Sequence, residues 1–229
     1  MPHHHFYESE LEDIRRKLVL MGEKCIDLVR LSFQALEQND LSIAQRVLGM
    51  DDEIDELELH IDNESVRYLS LRAPVATDVR MLTVCMKGCH DLERVGDEAS
   101  SIAKRVRRLA RQGRPIGDLA GIPQMTEMVI GILRKSIDSF VNESYDEALS
   151  LPEIDRKVDD LNRSNYDILM SRSADDSKYV PIGIELIFIS KSLERIGDHA
   201  VNIGEEVAYL IKAKNISHTD LVRRAPTRS

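Results

Sequence analysis

Apolar residues recur at steps of three and four along most of this chain. Between Glu8 and Glu37, Leu11, Ile14, Leu18, Met21, Cys25, Leu28, Val29, Ala35 and Leu36 share one stripe, with Ser32 as its one polar interruption. That is the signature of an amphipathic helix. Asn39 and Asp40 break the pattern and can cap a second helix. Its apolar positions Val47, Ile54, Leu57, Ile61 and Val66 carry it to about Leu71, before Pro74 marks a turn. A third pattern, from Ala76 to Leu109, has its seam at Leu82, Cys85, Cys89, Leu92, Gly96, Ala99, Ala103 and Val106, spaced alternately three and four. At a rise of about 1.5 Å per residue this helix would be close to about 50 Å long.

The stretch from Arg111 to Pro123 holds three glycines and two prolines, the composition of a linker. Beyond it the order repeats, with helices expected over about Pro123 to Asn142, Asp146 to Arg172 and Pro181 to Lys214. Pro152 falls inside the fifth pattern and either kinks that helix or marks its start. The expected fold is all-α: two tandem three-helix bundles at 8–110 and 123–214, joined by a linker at 111–122. The tail at 215–229 lacks apolar periodicity and is expected to be disordered.

The halves also match residue by residue. Leu92-Glu93-Arg94-Val95-Gly96-Asp97-Glu98-Ala99 agrees with Leu193-Glu194-Arg195-Ile196-Gly197-Asp198-His199-Ala200 at six of eight positions, and Val95 against Ile196 is conservative. One helix earlier, Asp51-x-x-Ile54-Asp55-x-Leu57 matches Asp155-x-x-Val158-Asp159-x-Leu161. The offset is 104 there and 101 in the later helix, a difference that a loop absorbs. Two matches in register establish a duplication.

Each half carries two acid-x-x-x-acid steps: Asp51 with Asp55 and Glu93 with Asp97, then Asp155 with Asp159 and Glu194 with Asp198. Residues four apart lie on one helix face with Cβ atoms about 5 to 6 Å apart, so both carboxylates reach one point. If the second and third helices of a half pack side by side, four carboxylates meet, and a pair of like charges 4 Å apart costs about 4 kcal/mol at an effective dielectric near 20. Arginine partners, raised carboxyl pKa values or a bound cation must offset this. Arg94 and Arg195 recur beside the motif, yet a sequence neighbour points about 100° away on a helix, so neither is expected to neutralise it. The oxygen-rich set Asp51, Asp55, Glu93, Asp97, Asp155, Asp159, Glu194 and Asp198 suits magnesium, calcium, manganese or iron, and zinc less naturally. Glu93 and Asp97 sit one place beyond the seam residues Leu92 and Gly96, which puts the site at the bundle surface, partly wet. A single such step is commonplace among 40 acidic residues, and Glu58 with Asp62, lacking a strong counterpart, reads as a solvated face. Gly96 and Gly197 each cost about 1 kcal/mol in a helix interior, and close helix approach beside the site explains them.

Composition narrows the function. A formal charge of −9 argues against broad adhesion to nucleic acid or anionic membrane, while only 4% aromatic residues and no Trp fit long helices packed by aliphatic seams. Met1 to Glu10 shows no secretory signal pattern, and Tyr179 to Ile189, the most apolar stretch, contains Glu185 and is too short to span a membrane. A cytoplasmic location is expected, and three cysteines without a spaced framework fit a reducing compartment. Cys85, Cys89 and His90 are close enough in sequence for a thiolate site, but both cysteines lie on the seam and read as core. Lys104, Arg105, Arg107, Arg108, Arg111 and Arg114 cluster at the end of the third helix, where cations are favoured as a solvated end; docking of an acidic partner is the minority reading. His3 to His5 carry no assigned function. No phosphate-binding loop, nucleophile elbow or zinc-protease motif is present.

The run Leu193 to Ile203, its sister at 92–102 and the upstream Asp78-Val79-Arg80 resemble the PhoU family of phosphate-transport regulators, over about residues 8–212. The resemblance implies duplicated, spectrin-type three-helix bundles holding multinuclear iron or other metal clusters at the acid-x-x-x-acid motifs. It further implies a non-enzymatic negative regulator of the phosphate-starvation response, linking the ATPase subunit of a phosphate-specific ABC transporter to a sensor histidine kinase. Homodimers are implied too, with membrane association only through partners. Tyr179-Val180-Pro181 stands where the first half has Asp78-Val79-Arg80, while His199 faces Glu98 and Asn202 faces Ser101 in the alignment, so the two sites are expected to be chemically unequal. Two other readings stay open: a carboxylate-bridged di-metal enzyme of helical-bundle type, which ordinarily uses inward Glu-x-x-His steps, and a metal-free helical adaptor.

Overall fold

A computed structural model describes residues 3–113 and 115–212, with side chains from Ser9 onward. Six helices follow in order: α1 His3–Gln38, α2 Leu41–Leu71, α3 Ala76–Arg111, α4 Ile122–Val141, α5 Tyr145–Asp175 and α6 Val180–Lys212. Among the described residues there is no strand. The side chains of His3 to His5, Arg114, and the tail expected to be disordered at 215–229 lie outside the described residues, as does the last turn expected for α6 up to Lys214.

The stripe on α1 is core: Ile14, Leu18, Met21, Cys25, Leu28, Val29, Ala35 and Leu36 are all buried. Ser32 is buried among them, and its hydroxyl donates to the Val29 carbonyl at 2.8 Å, so the polar interruption satisfies itself within the helix. The α1–α2 and α4–α5 turns are duplicates 104 residues apart. Asn39 adopts φ 49° and Glu143 φ 48°, and the following N–H reaches back to close the helix, Asp40 to the Ala35 carbonyl at 3.0 Å and Ser144 to the Ser139 carbonyl at 2.9 Å. Asp40 then caps α2, accepting from the Ser42 N–H at 2.6 Å and the Ile43 N–H at 3.3 Å.

Pro152 does not mark the start of α5. The helix runs through this buried proline, which has no N–H to offer the Ala148 carbonyl. Gly204 on α6 lies against that region, and a Cβ there would be 3.4 Å from the Ala148 oxygen.

Helices α1 to α3 form one bundle and α4 to α6 the other, with α3 packed against α6 and α1 against α4. The α3–α6 pairing is antiparallel: Lys87 pairs with Glu206 at 2.9 Å, Glu98 with Arg195 at 3.0 Å, and Arg105 with Glu185 at 3.1 Å. Both central helices therefore bury residues beyond a single seam. On α3 these include Gly88, Val95, Ile102 and Leu109, seven apart, and on α6 Ile189, Ile196 and Ile203 at the equivalent places. At the basic end of α3, Lys104, Arg108 and Arg111 are exposed as a solvated end should be, and Arg105 departs from that expectation. Arg105 stacks over the Phe188 ring at 4.2 Å, and Glu185 takes Arg108 at 3.7 Å as well as Arg105.

Candidate metal centre

In the first half α2 supplies Asp51 and Asp55, and α3 supplies Glu93 and Asp97. Helical spacing puts each pair on one face, and packing of α2 on α3 brings the two faces together. A Cβ on Gly96 would lie 3.1 Å from the Asp51 Oδ1, so the glycine leaves room for that carboxylate. Burial raises the Asp51 pKa, Asp55 and Asp97 add to the rise, and the Ser100 hydroxyl and Lys104 oppose it. Burial also raises that of Glu93, with Asp97 and Glu58 adding and Arg94 and His90 opposing.

The second half repeats the arrangement more deeply. Asp155 and Asp159 come from α5, Glu194 and Asp198 from α6. Asp159 and Glu194 are half-buried and Asp198 is exposed, so the site is at the bundle surface and partly wet as expected, but Asp155 is driven inward and is only 4% exposed. The reason is Gly197, whose missing Cβ would stand 2.6 Å from the Asp155 Oδ1. That oxygen is buried with no hydrogen-bond partner. Burial first, then the charges of Asp198, Asp159 and Glu194, push the Asp155 pKa up to about 7. Those of Asp159 and Asp198 rise for the same reasons, burial leading and Glu194 next.

The arginines of the motif do more than their sequence positions suggest. Arg94 bends back along its own helix, its Nε 3.4 Å from Glu93 and its Nη1 3.3 Å from Asp97, because a long stem overcomes the 100° between neighbours. Arg195 instead crosses to Glu98 of the other half. Glu58, read from sequence as solvated, is half-buried and joins His90 and Glu93, with ligand atoms all within 4.8 Å of one another. Sequence spacing alone missed this, because Glu58 and His90 lie on different helices and meet only through packing. Cys85 and Cys89 are core as expected. Burial pushes the Cys85 thiol up to about 12 and raises Cys89 further, so neither offers a thiolate.

The donor set fits a hard or borderline cation: oxygen ligands dominate, several are held at the edge of the core, and the buried Asp155 oxygen and a buried oxygen of Glu93 lack hydrogen-bond partners. The chemistry of the donors fits a cation, but among the described residues the one set of three ligand atoms within 4.8 Å of one another is Glu58, His90 and Glu93; neither acid-x-x-x-acid set converges that closely.

Such a molecule is a duplicated, all-helical scaffold presenting a paired-carboxylate face on each half. The chain belongs to the PhoU family: the PhoU domain matches residues 18–106 and again 122–207. A phosphate-specific transport system accessory protein PhoU homolog of Pseudomonas aeruginosa is 35% identical, over 95% of this chain and 90% of the relative. The accessory protein PhoU of Escherichia coli is 30% identical, over 93% and 88% respectively. The crystal structure of PhoU from Pseudomonas aeruginosa superposes with a TM-score of 0.87 at 35% identity, covering 91% of this chain and 100% of that one. That of the phosphate transport system regulatory protein PhoU from Streptococcus pneumoniae gives 0.85 at 24% identity, covering 92% and 99%, and confirms the fold.

Proposed function

We propose that this chain is a non-catalytic accessory regulator of a phosphate-specific transport system and that it carries metal ions on its two acid-x-x-x-acid faces. In this reading it acts as a homodimer at the cytoplasmic side, between the ATPase subunit of the transporter and a sensor histidine kinase, and it represses the phosphate-starvation response. The names of the relatives support the phosphate-transport role. The observation that carries the metal part is Asp155, buried and with an unpartnered oxygen among three further carboxylates.

A bound cation, iron or one of manganese, magnesium, calcium and zinc, would supply the positive charge that lets these carboxylates ionise together. The chain's own residues do the rest. Gly96 and Gly197 let Asp51 and Asp155 tuck against α3 and α6, so the site ties the outer helix of each half to the central pair. Charge at the site then bears directly on how α2 and α5 sit against the core, the coupling a regulator needs. The di-metal enzyme reading calls for inward Glu-x-x-His steps; here the nearest such pairing, His90 with Glu93, faces outward, with the His90 side chain 60% exposed.

The test is deletion of the gene in its host, combined with elemental analysis of the protein purified without chelator. Starvation genes should switch on in phosphate-rich medium, and stoichiometric metal should disappear when Glu93, Asp97, Glu194 and Asp198 are replaced together by their amides. An unchanged transcriptional response would remove the regulatory assignment, and metal-free wild-type protein would leave the adaptor reading.

A further inference from the structure

We propose that Glu58, His90 and Glu93 form a mixed nitrogen and oxygen site for a first-row transition-metal ion in the first half alone, and that Lys191 fills the corresponding place in the second half. The proposal rests on the reading that the acidic faces hold metal, and it adds ligands outside the repeated acid-x-x-x-acid steps.

Glu58 projects from α2, while His90 and Glu93 project from α3 three residues apart, one turn on the same face. Their ligand atoms lie within 4.8 Å of one another, and the His90 Nδ1 is 3.3 Å from the Glu58 Oε1. Tetrahedral metal–ligand bonds of about 2.0 to 2.2 Å put ligand atoms roughly 3.3 to 3.6 Å apart, so the set must close by up to about 1 Å, which His90 can do with the freedom of an exposed side chain. An imidazole beside two carboxylates suits zinc, iron or manganese better than calcium or magnesium. The Glu93 Oε2 is shut off from solvent and makes no hydrogen bond. The Arg94 Nε stands 3.4 Å from it, off hydrogen-bond geometry.

The duplication supplies an internal comparison. Positions 58, 90 and 93 correspond, by the offsets 104 and 101, to Asn162, Lys191 and Glu194. There the Lys191 ammonium donates to both oxygens of Glu194, at 2.5 and 2.6 Å, and the Asn162 amide oxygen accepts from the Ser190 hydroxyl at 2.8 Å. The second half therefore has a covalently tethered cation and a neutral amide where the first has an imidazole and a second carboxylate. One scaffold position is neutralised by hydrogen bonds from Lys191; its twin has only the half-exposed Arg94 near Glu93, at 3.4 Å and off hydrogen-bond geometry, which an entering cation would displace.

Chelator-treated full-length protein is titrated with cobalt(II), followed by its visible d–d absorption and by calorimetry, and with zinc, followed by the NMR resonances of the His90 imidazole. Wild type should shift the His90 resonances on adding one equivalent of zinc. His90→Gln or Glu58→Gln should weaken the tightest cobalt site by at least the roughly ten- to hundredfold that loss of an outer-shell partner costs and change its absorption, while Asn162→Glu with Lys191→His should create a second site of the same spectrum. If wild type binds cobalt but His90 does not respond and neither substitution changes affinity or spectrum, the proposal is overturned while metal binding at the acid-x-x-x-acid faces survives. If wild type binds no ion, both fall. His90 is exposed, so thermal melts of His90→Gln should match wild type, and the NMR readout needs no variant.

Discussion

Asp155 carries the clearest energetic consequence at the level of single residues. Its ordinary carboxyl pKa of 3.8 is raised to about 7 in the fold, so between those values the folded protein binds a proton that the unfolded chain has lost. Stability of the metal-free protein therefore falls as pH climbs from about 4 to about 7 on account of this group. Asp51, Glu93, Asp159 and Asp198 act in the same sense, since all are raised; Glu10 and Asp118, held down by hydrogen bonds from Arg72 and Arg172, act in the opposite one. Asp155→Asn isolates this contribution. At pH 7.5 the chelated variant should be about 1 to 3 kcal/mol more stable than chelated wild type, and near pH 4 the two should converge, as read by urea melts. Gly197→Ala tests the cradle around the same carboxylate. A methyl group 2.6 Å from the Asp155 Oδ1 forces a shift costing about 1 to 3 kcal/mol, more than the roughly 1 kcal/mol gained from helix propensity. A thermal melt should show Gly197→Ala below wild type. The acid spacing was legible in the sequence, as was the reason for the glycine. The depth of Asp155 was not, because burial depends on how closely α6 approaches α5.

Among elements, the duplicated turns show how two solutions to one geometry differ in strain. Asn39 tolerates its left-handed conformation well, whereas Glu143 holds φ 48° with a side chain that disfavours it. The ion pair of Glu143 with Arg15, 3.4 Å long and exposed, offsets little of this. Glu143→Asn should raise stability by about 0.5 to 1 kcal/mol, and Asp40→Ala, which strips the cap from α2, should lower it by about 1 kcal/mol; chemical denaturation reads both. The six helices follow from apolar periodicity and from Asn, Asp, Gly and Pro at their ends, so their order was readable along the chain. Pro152 was ambiguous from sequence because a proline eight residues into α5 removes one hydrogen bond and strains the helix without always ending it, and only the folded structure, with α6 packed alongside, shows that the helix continues.

For the whole molecule, the α3–α6 contact decides how the halves act together. Arg105 and Glu185 meet across it with side chains 18% and 15% exposed, so like charges there are poorly screened. Arg105→Glu should cost about 2 to 4 kcal/mol, and adding Glu185→Arg should restore part of the loss, a coupling that a double-mutant cycle would measure. The packing of the halves into one body was only faintly written in the chain, in the second stripe of Val95, Ile102 and Leu109 beside the main seam. What the sequence determined by itself was local or repeated: the helices, their ends and the acids four apart each depend on residues within a turn or two of one another, and the duplication is the same local patterns recurring in the second half. Which acids meet across helices, how deeply Asp155 is held, that Glu58 finds His90, and which arginine answers which carboxylate were decided by tertiary packing. Those facts depend on the distance and rotation between helices, which the summed burial of the whole core sets and no single segment encodes.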